Sequence, residues 1–203
     1  MLTTVDEVIM STSQAVGDLV REHDAIVFAL DILERISEQL AAGKAVAGDD
    51  LAQFVEFFEE FADTCHHGKE EQILFPALLD AGGPGERAQI TAMLTEHDEG
   101  RGLIADMKAS LQPALDAKKF VAAARAYSAL LQSHIAKENG VLFPMAERIL
   151  EPAQSTRLFA EFEEYETRVM GAGRHEQLHG LLKALRAKYP ARGPTQENRS
   201  EHS

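Results

Sequence analysis

The sequence predicts an all-α fold, an up-down four-helix bundle with an additional C-terminal helical extension. Apolar residues recur at i, i+3, i+4 and i+7 through long stretches rich in Ala, Leu, Glu and Lys, with no sustained alternation of period two. Glycine and proline fall in clusters that separate these stretches. Because the connections between the long stretches are short, neighbouring helices are expected to pack antiparallel.

Six helices follow from the positions of these breaks. Their predicted ranges are 13–41, 49–81, 85–111, 116–150, 153–170 and 174–188. The first four are expected to form the bundle, 13–150, and the last two to pack on it within 151–189. Residues 190–203 have almost nothing apolar to bury and are expected to form a disordered tail.

Composition and charge narrow the class of protein. The chain has 203 residues, 45% of them hydrophobic and 26% charged, which suits one globular domain. Its 20 basic and 33 acidic side chains give a net charge of -13, which disfavours nucleic acid. The first ten residues lack the features of a secretory signal, no apolar run is long enough to cross a membrane, and the one cysteine, Cys65, suits a reducing compartment. A cytoplasmic protein without membrane or nucleic-acid partners is expected.

An internal repeat relates the second predicted helix to the fourth. The segment HHGKEEQILFP at 66–76 matches HIAKENGVLFP at 134–144 without a gap, and six of the eleven positions are identical. The first and third helices share a shorter match, REHD at 21–24 against TEHD at 95–98. Two helical hairpins related by pseudo-symmetry are therefore expected.

The repeated segments contain a candidate metal site. Residues four apart lie on one face of a helix, so the His and the Glu of each HxxKE segment project together. Each pair offers an imidazole and a carboxylate that can bridge two ions, and the His of each EHD segment adds one nitrogen to each half of a dinuclear centre. This set of donors suits iron or manganese better than the thiolate-rich sites of structural zinc. The six predicted ligands are His23, His66, Glu70, His97, His134 and Glu138.

The alternative interpretation is the duplication of a purely structural sequence. A single His on an apolar helix face is usually a hydrogen-bonded core residue. Burying six polar groups without a ligand would cost several kcal/mol, so the repetition favours a metal. The apolar residues that follow each motif are expected to turn the same face into the core. They are Ile73, Leu74, Val141 and Leu142.

The paired motif, with LFP after each HxxKE segment, resembles the hemerythrin-like HHE cation-binding domain in its bacterial stand-alone form. The resemblance covers residues 15–150. It implies a bundle of hemerythrin type around a non-haem di-iron centre bridged by two carboxylates and an oxo or hydroxo group. The four motif histidines then correspond to terminal iron ligands, and Glu70 and Glu138 to the bridging carboxylates. Two iron ions are the expected cofactor, with manganese as the alternative metal.

Position 101 departs from the oxygen-carrying hemerythrins. Those proteins have a fifth His one turn after the third-helix ligand, where this sequence has Arg101. A vacancy or a substitute ligand is therefore expected. The candidate substitutes are His67, which on an α-helix points about 100° away from His66, and the pair His175 and His179 in the last helix, of which His179 is preferred.

The segment HEQLH at 175–179 has two other interpretations. It can be part of an ordinary amphipathic cap whose leucines pack inward. It also matches the H-E-x-x-H pattern of zinc proteases, for which the third ligand is missing unless His202 in the tail supplies it.

The repeat also decides which of two adjacent histidines is the ligand. His67 and Glu71 lie four apart as well, but Ile135 and Asn139 occupy the corresponding positions of the fourth helix. His67 is therefore predicted to lie beside the ligands or on the surface. The expected consequence is that His66→Ala removes metal while His67→Ala largely keeps it.

Four charged residues in or beside the motifs are not predicted to bind the metal. Asp24 and Asp98 are expected to form hydrogen bonds elsewhere or to hold N-terminal turns, and the alternative is that they orient ligand imidazoles. Lys69 and Lys137 are expected to be solvated charges on the helix surface.

These observations predict a protein that binds or senses oxygen, nitric oxide or peroxide at a di-iron centre. One alternative is a di-iron oxidoreductase of catalase or peroxidase type, or a protein that donates iron for the repair of damaged centres. Another is a metal-free helical interaction module. The sequence leaves the physiological ligand, the redox partner and the oligomeric state open.

Overall fold

A computed structural model of the chain describes residues 13–191, and all regular secondary structure in this range is helical. The six helices have these bounds: α1 is Gln14–Ala41, α2 runs through Gly48–Phe57, Phe58–His67, Glu70–Leu74 and Phe75–Ala81, α3 is Pro84–Ala109, α4 runs through Ala117–Lys137, Glu138–Leu142 and Phe143–Ile149, α5 is Pro152–Met170, and α6 is Arg174–Lys188. Every predicted helix end lies within two residues of the observed end. The predicted tail, including His202, lies outside the described residues from position 192 onward.

The predicted all-α bundle is confirmed. Helix α1 packs against α4 and α2, and α3 packs against the same two helices, so the four form a closed bundle. Helix α5 lies against α1 and α2, and α6 lies against α1 and the first part of α2. Among residues 13–191 no helix combines the length and the apolar character that a membrane span needs.

Both helices that contain an HxxKE segment widen into π-helix at the same point of the repeat. The segments Glu70–Leu74 and Glu138–Leu142 begin at the motif Glu and end before Phe-Pro. Phe75 and Phe143 each donate their amide to the carbonyl five residues back, instead of four. In an α-helix, a proline ring clashes with the carbonyl four residues earlier. The wider turn relieves that clash, which explains why the proline of each LFP segment is tolerated inside a continuous helix.

Helix α5 packs onto α2 at a glycine. The hydroxyl of Tyr165 donates to the carbonyl oxygen of Thr64 at 3.1 Å and accepts from Gln72 Nε2 at 3.0 Å. A Cβ atom on Gly68 would lie 2.1 Å from that hydroxyl oxygen. The absence of a side chain at this position is what lets the tyrosine reach the backbone of α2.

Gly68→Ala is therefore expected to lower the free energy of unfolding by about 1–3 kcal/mol, because overpacking displaces a buried ring. Gly102→Ala in α3 is the matched control. Apart from its chain neighbours and the backbone of its own helix, no atom lies within 4 Å of a Cβ added there, and alanine should stabilise the helix by about 0.5–1 kcal/mol. Urea unfolding of the two variants measures both effects. Equal stabilities would contradict the close approach of Tyr165.

Candidate metal centre

A layer of polar side chains divides the core of the bundle. Apolar residues form two clusters, and each bundle helix passes from one to the other, as α1 does between Leu19 and Ile26. The six predicted ligands lie between the clusters, and each is exposed by 2% or less. Leu74 and Leu142 are buried as predicted, but Val141 is 48% exposed, because the π turn changes the angle between successive side chains.

The motif histidines of α2 and α4 are held by glutamates of the neighbouring helices. His66 Nδ1 lies 2.9 Å from Glu22 Oε2, and His134 Nδ1 lies 2.9 Å from Glu96 Oε2. The two glutamates are equivalent, since each precedes the His of an EHD segment. With Nδ1 engaged in this way, each ring directs its Nε2 atom into the layer.

The histidines of α1 and α3 are held in the same way by residues of α4 and α2. His23 Nδ1 lies 2.9 Å from Asn139 Oδ1, and His97 Nδ1 lies 2.7 Å from Glu71 Oε1. Asn139 and Glu71 are also equivalent, since each follows a motif Glu. An oxygen acceptor on the outer nitrogen is the usual way in which a metal-binding imidazole is oriented.

The two motif carboxylates each lie between imidazoles of both halves of the layer. Glu138 Oε2 is 3.1 Å from His23 Nε2, and Glu138 Oε1 is 3.1 Å from His134 Nε2. Glu70 Oε2 stands in the same relation to the other two motif histidines, at 3.9 and 3.5 Å from their Nε2 atoms. This is the placement that a pair of bridging carboxylates requires.

The donor atoms fall into two groups that could each hold a cation, and within each group all of them lie within 4.8 Å of one another. The first group is His23, His66, Glu70 and Glu138, and the second is His67, Glu70, His97 and His134. Several of these buried atoms have no hydrogen-bond partner: Nε2 of His23 and His66, both nitrogens of His67, and both oxygens of Glu70 and Glu138. Because buried polar atoms are rarely left unsatisfied, the residues present fit bound cations.

Burial and the neighbouring side chains together set the protonation states in the layer. It raises the pKa of Glu70 well above the ordinary value, and the neighbouring Glu138 raises it further. Burial also raises the pKa of Glu138, but the imidazoles of His134 and His23, each 3.1 Å away, outweigh that effect and lower it. Burial lowers the pKa of His66 and His67 well below the ordinary value. Neutral imidazoles are the form in which histidine binds metals.

His67 lies inside the layer, so of its two predicted positions, beside the ligands or on the surface, the surface position is wrong. It is 3% exposed, and its ring stacks on that of His97 with centroids 3.8 Å apart and planes 12° apart. The prediction assumed α-helical geometry, whereas Phe58–His67 is π-helical. A π-helix turns less per residue, so the side chains of His66 and His67 diverge less than they would on an α-helix.

Arg101 contributes no donor atom to either group. Its guanidinium nitrogens Nε, Nη2 and Nη1 donate to Asp63, Glu71 and Asp98 at 2.8, 2.6 and 2.9 Å. The histidine that joins the second group is therefore His67 of α2.

The structure does not bring His175 and His179 into either group. Their rings are 4.6 Å apart and pack 5.3 and 5.7 Å from the ring of Phe61. His175 instead lies in a separate group with Glu22 and Glu166. The physical reason is that α6 packs along α1 and the first part of α2, and three of its leucines are buried there. The segment is thus placed as an amphipathic cap.

Sequence reasoning missed Glu22 and Glu96 as the partners of ligand imidazoles. Asp24 and Asp98, for which that role was an alternative, are exposed, and Asp98 pairs with Arg101. The repeat contained a signal for them, because both EHD segments keep the glutamate that faces the adjacent motif helix.

The predicted solvation is also wrong for Lys69. Its side chain is fully buried, and Nζ lies 2.6 Å from Glu22 Oε1 and 3.0 Å from Asp18 Oδ2. The equivalent Lys137 pairs with Glu96 and is 45% exposed. The two differ because α5 covers α2.

Comparison with known proteins agrees with this geometry. The hemerythrin HHE cation binding domain matches residues 14–146, which is more than half of the chain. The chain belongs to the hemerythrin HHE cation-binding family. The resemblance that the two HxxKE segments indicate is therefore confirmed. The family is named for cation binding.

The chain spans only part of the length of the relatives that it matches. Uncharacterized protein Rv1995 of Mycobacterium tuberculosis (strain ATCC 25618 / H37Rv) is 29% identical over 162 residues, which is 76% of this chain and 62% of that protein. Iron-sulfur cluster repair protein YtfE of Enterobacter sp. (strain 638) is 34% identical over 116 residues, 54% of this chain and 52% of that protein. The protein of the same name from Cronobacter sakazakii (strain ATCC BAA-894) is 29% identical with the same coverage. No solved structure matches the chain significantly.

Proposed function

We propose that the polar layer holds two iron ions in a carboxylate-bridged centre. The observation that supports this most strongly is the position of Glu70 and Glu138, each between imidazoles of both halves and each without a hydrogen-bond partner. Two carboxylates so close in a dry core are costly unless cations neutralise them. Nitrogen and oxygen donors without thiolate suit iron, with manganese as the alternative. The six ligands proposed from the sequence are retained, and His67 is added to them.

The two halves offer different donors. The first group has two imidazoles, whereas the second has three. With both carboxylates bridging, the first half has four donors from the chain and the second has five, so the first half has more room for a small molecule. An iron pair, when bound, supplies electrons and coordination for oxygen, nitric oxide or peroxide. The two apolar clusters keep bulk water from the layer. We place this activity, binding or sensing of such a molecule, in the cytoplasm.

A second candidate function is repair by iron donation. Two relatives are named iron-sulfur cluster repair proteins. A protein that donates iron must release it. Glu96, which holds His134 of the second half, pairs with Lys137 at the edge of the bundle, where the Lys137 side chain is 45% exposed and that of Glu96 is 17% exposed. Damaged iron-sulfur proteins would then be the partners. Turnover of peroxide, as in a catalase or peroxidase, is the corresponding enzymatic alternative.

Iron loading tests the proposed centre. The chain loaded with Fe²⁺ without oxygen and then desalted is expected to retain about two irons, as in other two-metal sites. After oxidation, azide or nitric oxide should produce a new visible absorption band, and chelator-treated protein should produce none. No retained iron, together with unchanged stability in chelator, would favour the metal-free interaction module.

The same loaded protein separates the alternatives. Peroxide consumption through many turnovers would favour the oxidoreductase. Transfer of iron to an iron-depleted iron-sulfur protein, faster than release into buffer, would favour repair. Binding of the small molecule without either activity is the result expected for a carrier or sensor.

A further inference from the structure

Arg101 ties α3 to α2 at the outer edge of the second group. Its Nε donates to Asp63 Oδ1 at 2.8 Å and its Nη2 to Glu71 Oε1 at 2.6 Å, and both acids belong to α2. These three side chains are 36%, 22% and 23% exposed, whereas those of His67 and His97 are 3% and 0% exposed. The ion-pair cluster therefore lies between the two buried rings and solvent.

Glu71 contacts both Arg101 and His97 and so connects the two. One atom, Glu71 Oε1, accepts from the guanidinium and also lies 2.7 Å from His97 Nδ1. A charged acceptor on Nδ1 fixes the ring and makes its Nε2 a stronger metal donor.

Asp63 connects the same cluster to His67. Asp63 Oδ1 lies 3.6 Å from His67 Nδ1, which is beyond hydrogen-bond length, so this contact restrains the ring by packing alone. The ring of His67 lies flat on that of His97. Fixing His97 therefore also restricts the rotation of His67.

The counterpart of His97 in the first half, His23, has no such cluster. The position in α4 equivalent to Glu71 is Asn139, whose neutral amide oxygen holds His23. The position in α1 equivalent to Arg101 is Val27, four residues after His23, and it is 47% exposed. Of these two equivalent rings, only His97 thus has a carboxylate acceptor that is paired with a guanidinium.

We infer that Arg101 is a positioning residue of the second half of the metal site. Through Glu71 and Asp63 it fixes the rings of His97 and His67 and so sets the affinity of that half for its ion. This inference rests on the proposed two-metal centre.

The test uses Co²⁺ as the probe, because it binds sites of this donor type and its visible absorption depends on its ligands. Calorimetric titration of the metal-free chain is expected to give two Co²⁺ per chain. Arg101→Gln should weaken one of the two by about 10–100-fold, the usual effect of losing an outer contact of a ligand, and alter the visible bands of that ion. In a Glu71→Gln background the same substitution should have a smaller effect, since Arg101 acts through Glu71.

Arg125→Gln is the matched control. This arginine is 52% exposed and lies 4.0 Å from Glu34 of the neighbouring helix, away from the polar layer. Both Co²⁺ affinities should be unchanged in it. Circular dichroism of the metal-free variants checks that each is folded.

The direction of the change separates positioning from simple charge effects. Removing a positive charge near a dication would, by Coulomb's law alone, strengthen binding. Unchanged or tighter binding in Arg101→Gln, with two Co²⁺ bound by the unaltered chain, would overturn the inference and leave the two-metal centre intact. Fewer than two Co²⁺ in the unaltered chain would overturn both.

Discussion

Glu70→Met is expected to abolish retention of the metal pair and at the same time to stabilise the metal-free chain. Glu70 belongs to both donor groups, so its loss removes a ligand from each ion. In the metal-free chain its two oxygens are buried without hydrogen-bond partners, beside a second carboxylate. Replacing it with an apolar side chain of similar length should raise the free energy of unfolding by about 1–3 kcal/mol.

Two measurements on the same variant check this result. Metal analysis after Fe²⁺ loading gives the retained iron, and urea unfolding in chelator gives the stability. Glu99→Met in α3 is the control, because Glu99 is exposed, and it should change neither quantity. Retention of about two irons by Glu70→Met would contradict the bridging role. A lower free energy of unfolding for Glu70→Met than for the unaltered chain, both in chelator, would contradict the expected stabilisation and show that the carboxylate stabilises the metal-free fold.

His67→Ala is expected to reduce the retained iron from about two per chain to about one. This reverses the expectation drawn from the repeat, in which His67 was dispensable. The ring lies in the second donor group, stacked on His97, and both its nitrogens lack hydrogen-bond partners. His66→Ala should also lose about one iron, but from the first half, and the double variant should retain almost none.

His175→Ala provides the comparison for both variants. His175 was a predicted ligand and lies outside the two groups that share Glu70. Its replacement should leave about two irons bound. Full retention in His67→Ala together with loss in His175→Ala would restore the ligand set expected from the sequence and refute the assignment of His67.

The helix boundaries could be predicted because local chemistry determines them. Gly82 and Gly83 separate α2 from α3, and Gly171 and Gly173, both with positive φ, separate α5 from α6. The π-helical widening could not be predicted from periodicity, since the i+3 and i+4 pattern assumes an α-helical turn. The exposed position of Val141 follows from that widening.

The candidate site was predictable to the extent that the repeat encodes it. Both copies keep the His and Glu that the structure brings into the layer. The repeat could not reveal His67, because its counterpart is Ile135 and the difference breaks the symmetry. Nor could it reveal that Lys69 is buried, since this depends on α5, which has no counterpart in the repeat.

Diffraction from crystals of the iron-loaded protein, measured at the iron absorption edge, tests the two-iron assignment without reference to activity. Two anomalous peaks are expected in the polar layer, about 3.5–4 Å apart, with Glu70 and Glu138 between them and His67 beside one of them. The absence of any peak in this layer, or a single peak at the group formed by Glu22, Glu166 and His175, would contradict the assignment.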